Sequence, residues 1–153
     1  GLESCLYLGN LDAIRDWGHA RDYVKMQWMM LQQSKPKDYV ISTGNQISVR
    51  DFLVTVCTRI GITLRFEGSG VEEIGIIDSV SDSLTTNLSV GDVIIRVDDA
   101  YFRPTEVETL LGDSSLARKD LGWVPEFTVE ELANEMIDHD MLEAKKISLI
   151  KGL

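Results

Sequence analysis

The sequence predicts an α/β fold, and three observations carry that prediction. An amphipathic helical stretch is framed with short joints by two runs rich in β-branched and aromatic residues, 39–43 and 62–66, the pattern of a wound strand–helix–strand unit. A further apolar run, residues 93–97, would deliver Arg103 and Glu106 to its carboxyl-terminal edge, where open α/β sheets bind ligands. Hydrophobic residues make up 44% of the 153 residues, enough for one domain with a real core.

Taken in order, Leu6, Tyr7 and Leu8 read as a short strand closed by Gly9 and Asn10, a plausible turn pair. Residues 15–24 open a helix whose apolar face is expected at Ala20, Val24, Trp28 and Leu31, and which stops near Ser34 ahead of Pro36. The run 39–43 reads as a strand on its composition, ended by Gly44 and Asn45. Ser48 with Asp51 three positions on forms a capping box, and Phe52, Leu53, Val56 and Ile60 line the helix that ends at Gly61. Ile62, Leu64 and Phe66 alternate with Thr63 and Arg65 in the next strand. Residues 68–91, with their glycines, acids and serines, are expected to form a variable surface insertion, with room for a hairpin. After the 93–97 strand, Asp113 is the expected N-cap of a helix over 114–121 stopped by Gly122, and Thr128 with Glu131 boxes the last helix. Leu132, Met136 and Ile137 should face the core there, with Glu130, Glu135 and Asp138 in solvent.

Composition narrows the function classes. A formal net charge of −10 argues against sequence-independent nucleic-acid binding, which depends on cations neutralising phosphates. It leaves room for a phosphorylated small molecule, for which one or two local arginines suffice. No apolar run approaches the roughly 20 residues of a bilayer span, and the amino terminus lacks a signal-peptide pattern, so a soluble, cytoplasmic protein is expected. Cys5 and Cys57 lie in apolar surroundings without metal-site spacing and are expected to be buried free thiols. The chain starts on Gly1 directly before a strand-like unit, as a fragment would.

Arg103 and Glu106, an arginine and a carboxylate three apart, suit a phosphate and a hydroxyl; a surface ion pair is the alternative. Arg15 could bring a guanidinium to a ligand or be a solvated loop arginine. His19 and Asp22 are three apart on one helix, but with only His139 as a further histidine a complete metal site is not expected. A hydrogen-bonded structural His19 is the better reading. Residues 90–98 look like the entry strand of a PDZ domain, which would capture a peptide by strand addition, yet the glycine-rich carboxylate-binding loop is missing. No dinucleotide fingerprint, no Tyr-x-x-x-Lys pair and no nucleophile–base set occurs, so this chain by itself should not do chemistry.

The run GNLDAIRDWGHARDYV from Gly9 to Val24, YFRPTEVETLL from Tyr101 to Leu111, and LGWVP from Leu121 to Pro125 together resemble the GDP-mannose 4,6-dehydratases, extended short-chain dehydrogenase/reductases. The likeness corresponds to the carboxyl-terminal portion of that family and covers essentially the whole chain. It implies the carboxyl-terminal part of a Rossmann-type enzyme, with last elements of the Rossmann core and the substrate-binding domain in residues 1–153. An amino-terminal NADP-binding domain, which this sequence lacks, would complete it. The implied activity converts GDP-mannose to GDP-4-keto-6-deoxymannose, toward GDP-fucose and related deoxyhexoses. By family mechanism, NADP oxidises C4, water is eliminated across C5 and C6, and hydride returns to C6, with Thr or Ser, Glu and a Tyr/Lys pair supplied by the amino-terminal part. The resemblance further implies that Arg103 holds the diphosphate, Glu106 a ribose hydroxyl and Arg15 another part of the nucleotide, in a homo-dimer or tetramer. Arg21 stands where lysine is common, and 68–91 is a variable stretch. A portion cut from a shared core should expose apolar surface. The alternative is a non-catalytic module, PDZ-like or otherwise interacting.

Overall fold

In a computed structural model, which describes residues 2–82, 87–103, 107 and 109–151, four strands form the central sheet in the order β1-β6-β5-β4. These are β1 (Leu6–Leu8), β4 (Ile62–Glu67), β5 (Ile74–Val80) and β6 (Val93–Val97). β1 runs parallel to β6, pairing Leu6 with Ile95 and Leu8 with Val97, while β6–β5 and β5–β4 are antiparallel. β2 (Ile14–Asp16) and β3 (Gln46–Ser48) make a separate antiparallel pair.

Four α-helices accompany the strands: α1 (Ala20–Leu31), α2 (Val49–Arg59), α3 (Ser115–Leu121) and α4 (Val129–Lys151). The local signals for these helices act as expected. Ser48 accepts from Asp51 N while the Asp51 carboxylate accepts from Ser48 N, closing the box that starts α2. Thr128 and Glu131 do the same at the start of α4. Gly122 ends α3 in the left-handed region at φ 66°, a conformation that favours glycine. α3 begins one residue later than expected, with Ser114 as N-cap; Asp113 instead accepts from Ser115 N at 2.9 Å.

The core has three parts. Leu11, Ile95 and Val97 are packed by Val49, Leu53, Phe66 and Phe102 beneath the parallel pair. Cys57, Ile62 and Ile77 join α2 to the sheet, and Met26, Ala117 and Trp123 join α1 to α3. Both cysteines are free; Cys57 is buried, and burial pushes its thiol up to about 11, while Cys5 is only half-buried.

Several expectations are corrected. Residues 39–43 enter no ladder: Tyr39 and Ile41 pack on the Met26 cluster, while Ser42 and Thr43 bond to Gly112 and Asp16. The unit around α2 is therefore not a wound parallel one, since β3 belongs to the small sheet and β4 pairs antiparallel. The expected surface insertion 68–91 contains β5, which lies inside the sheet with Ile76 and Ile77 buried. The buried side of α1 carries Asp22 and Met26, whereas Val24, Trp28 and Leu31 are 62%, 62% and 81% exposed. On α4, Ala133 and Ile137 are buried but Met136 is exposed, and Glu135 pairs with Arg21 instead of standing alone in solvent. Strand β6 has neighbours on both sides, so it offers no free edge for the peptide capture of a PDZ domain. Among the described residues no helix is long and apolar enough to cross a membrane.

Candidate functional site

The parallel strands β1 and β6 end on the same side of the sheet, and the loops that leave them line a cleft of about 300 Å³. Leu8, Gly9 and Asn10 come from the exit of β1, Tyr101 and Arg103 from that of β6, Arg15 from β2 and Val49 from the first turn of α2. Two arginines 88 positions apart in sequence thus meet at the carboxyl ends of two parallel strands, where α/β sheets bind ligands. A second cleft of about 440 Å³ adjoins it through Asn10 and is walled by Leu11, Asp12, Ile14, Glu73 and Phe102.

Arg15 is half-buried. Its Nη1 donates to the carbonyls of Ile14 at 2.7 Å and Val107 at 3.2 Å, so it also fastens the segment after Arg103 to β2. A parallel bridge between Ile14 and Thr109 reinforces that attachment. Arg103 is exposed at the mouth of the cleft. Glu106, the third expected ligand residue, lies outside the described residues.

Two other phosphate-binding arrangements fail on geometry. A helix start can hold an anion through its free N–H groups, but at α2 these are taken: Val49 N donates to Ala13 O, Arg50 N to Leu11 O and Asp51 N to Ser48 Oγ. Arg50 grips Glu73 through both terminal nitrogens and also reaches Asp12 at 2.7 Å. The hydrogen bonds it donates to Glu73, then to Asp12, raise its pKa above the ordinary arginine value. Among the described residues that line the cleft, the cationic ones are Arg15 and Arg103.

The residues that follow Arg15 build the wall behind it. Asp16 Oδ1 accepts from Thr43 N at 2.9 Å and Thr43 Oγ1 at 2.8 Å, and Oδ2 accepts from Gly44 N at 2.8 Å. Trp17 stacks on Phe52 with centroids 4.3 Å apart and donates to Ile47 O. His19 is the N-cap of α1, its Nδ1 accepting from Arg21 N at 3.0 Å while its ring lies on Phe127. Asp22, 1% exposed, accepts from Glu126 N and Phe127 N, and its carbonyl accepts from Trp123 Nε1. His19 and Asp22 are thus held by structural hydrogen bonds, and among the described residues no group of three His, Cys, Asp or Glu is placed to hold a metal. Tyr23 is no ready base: burial, then the charges of Asp16 and Asp22, raise its pKa.

Reading the sequence singled out both arginines but passed over Gly9, Asn10, Tyr101 and Val49 as lining residues. Gly9 and Asn10 had signalled only a turn, and nothing local in Val49 marks it, because its place depends on the cap of α2.

The sequence of the chain matches a known family. The family model described as GDP-mannose 4,6 dehydratase matches residues 1–136. The chain is 58% identical over 152 residues to the GDP-mannose 4,6-dehydratase of Yersinia enterocolitica, covering 99% of this chain and 41% of that protein. It is 56% identical to that of Vibrio cholerae, covering 99% and 40%, so it spans about two fifths of the length of these relatives. Among solved structures, RMD from Pseudomonas aeruginosa complexed with NADPH superposes with a TM-score of 0.58 at 17% identity, over 88% of this chain and 35% of that one. A UDP-glucose-4-epimerase from Stenotrophomonas maltophila gives 0.60 at 14% identity, over 95% and 37%. The fold is α/β of the Rossmann type, shared with these solved structures, and the chain belongs to the GDP-mannose 4,6-dehydratase family of lyases.

Proposed function

We propose that this chain forms the nucleotide-sugar side of a GDP-mannose 4,6-dehydratase, which converts GDP-mannose to GDP-4-keto-6-deoxymannose with net loss of water. The observation that carries the proposal is the convergence of Arg15 and Arg103 on one cleft at the ends of β1 and β6, in a chain 58% identical to such a dehydratase. Guanidinium groups match diphosphate oxygens in charge and geometry. Arg103, exposed at the mouth, is the diphosphate ligand in this reading, Arg15 holds a further part of the nucleotide, and Glu106 accepts from a ribose hydroxyl.

The residues present do not fit an NADP site. The single Gly-x-Gly in the sequence, Gly68–Ser69–Gly70, does follow β4, but it leads only into a three-residue 3-10 turn. The backbone of Glu72 and Glu73 already lies against Gly68, and the buried Glu73 carboxylate is engaged by Arg50; a dinucleotide phosphate needs an open cradle and a helix start. In this reading NADP and the catalytic Thr or Ser, Glu and Tyr/Lys groups belong to an amino-terminal domain of the full-length enzyme. The exposed stripe of Val24, Trp28 and Leu31 suits contact with such a domain. A homo-oligomeric, cytoplasmic enzyme is part of the same proposal.

The test is GDP binding by the full-length gene product, followed calorimetrically. Arg103→Ala should weaken GDP by about tenfold or more, the loss of at least one charge-assisted hydrogen bond. Equal affinity of the two proteins would sink the assignment.

A further inference from the structure

We infer that Gly9 and Asp98 are positioning residues for Arg103, acting through the turn that carries it; the inference rests on the nucleotide-sugar reading above. Main-chain and side-chain bonds join the exits of the two parallel strands. Asp98 N donates to Leu8 O at 2.9 Å, extending the β1–β6 ladder past Val97. The Asp98 carbonyl then accepts from Tyr101 N and Phe102 N at 3.0 Å each, and its Oδ1 accepts from Ala100 N at 2.8 Å. A carboxylate that accepts from the amide two residues on closes an Asx turn, so one aspartate shapes the segment leading into Arg103.

Gly9 bears on the same segment from the β1 side. A Cβ at this position would lie 2.5 Å from Tyr101 O and 3.1 Å from Tyr101 C. Those are backbone atoms and cannot swing aside as the end of a side chain would. Gly9 does not have a positive φ, so the demand here is for space and not for a conformation only glycine reaches. Gly9, Tyr101 and Arg103 line one cleft, with Arg15 also on its wall. A methyl group on Gly9 therefore moves the 101–103 backbone, and with it the guanidinium of Arg103 relative to that of Arg15.

Full-length protein titrated calorimetrically with GDP and with guanosine distinguishes positioning from general damage. Gly9→Ala and Asp98→Ala should each weaken GDP by about tenfold, the loss of roughly one charge-assisted hydrogen bond. Affinity for guanosine, which has no phosphate, should stay the same. Asp98→Asn keeps the Oδ1 acceptor and should bind GDP like the unaltered protein. With Arg103→Ala already in place, Gly9→Ala should change GDP affinity little, since residues acting through one contact are not additive. If Gly9→Ala does not fold, Asp98→Ala against Asp98→Asn decides the matter. The inference is overturned if these variants bind GDP normally while Arg103→Ala does not, if guanosine affinity falls in parallel, or if Gly9→Ala weakens GDP as much without Arg103 as with it. Normal GDP binding by Arg103→Ala would instead overturn the underlying reading of the site.

Discussion

Two stretches within the runs that mark the family, residues 15–22 of the Gly9–Val24 run and the described residues of 101–109, are built in opposite ways. In the first, nearly every side chain is fixed: Asp16 on Thr43 and Gly44, Trp17 on Phe52, His19 as a helix cap, Asp22 on Glu126 and Phe127. Only Arg15 among them lines the cleft. In the second, the described side chains of Tyr101, Arg103, Val107 and Thr109 are exposed, and the attachment comes from Phe102 packed on the core, the turn at Asp98 beside Gly9, the bond from Thr109 Oγ1 to Gln46 and the bond from Arg15 to Val107 O. Two runs that look equally diagnostic in sequence thus divide into a wall and a loop that the wall supports. A specific motif need not be a chemical one.

The difference makes the wall costly to alter. Asp22→Ala should have the largest effect, about 3 kcal/mol, because it removes a charged acceptor and leaves the amides of Glu126 and Phe127 without their partner. In a chain of this size that lowers Tm by roughly 6–12 °C, and a thermal melt showing less than about 2 °C would mean that the joint between α1 and α4 is not held as described. Trp17→Ala comes next, at about 2 kcal/mol, through loss of the stacked ring and of the bond to Ile47 O. Chemical denaturation should show a lower midpoint with an unchanged slope. A stability loss confined to a few tenths of a kcal/mol would place Trp17 with the loop instead of the wall.

How much of this could be read beforehand follows from how local each signal is. Both capping boxes and the glycine stop of α3 are set by residues within three or four positions of one another, and they stand where expected. Residues 39–43 have strand composition, but a strand also requires a neighbour, and here Ser42 and Thr43 bond to Gly112 and Asp16 instead. β5 was hidden by the glycines and acids around it. Gly75, which disguised it most, faces Ile95 so closely that a Cβ would meet that side chain at 2.9 Å. On α1 two faces satisfy helical spacing, and the more apolar one is exposed because Asp22, polar in composition, is buried as an acceptor for backbone amides. For the site, residue type and position after an apolar run single out Arg103, whereas Arg15, just before a helix, is open between ligand and loop arginine until the family resemblance is considered. Their meeting in one cleft depends on β1 pairing with β6 across most of the chain, which no local pattern contains.

The smallest effect sharpens the comparison most. Tyr101 is 60% exposed, and Arg103 is exposed as well, so neither side chain gains much from folding. The hydrogen bonds that hold their segment are made by Asp98, by main-chain amides and by Arg15, all of which survive truncation at 101 or 103. Tyr101→Ala and Arg103→Ala should therefore each change stability by no more than about 0.5 kcal/mol, leaving the melting curve in place even as GDP affinity falls for Arg103→Ala. A loss above roughly 1 kcal/mol in either variant would show that the loop side chains are architectural too. The contrast between wall and loop would then fail, and the weaker GDP binding of Arg103→Ala could no longer be assigned to a direct contact.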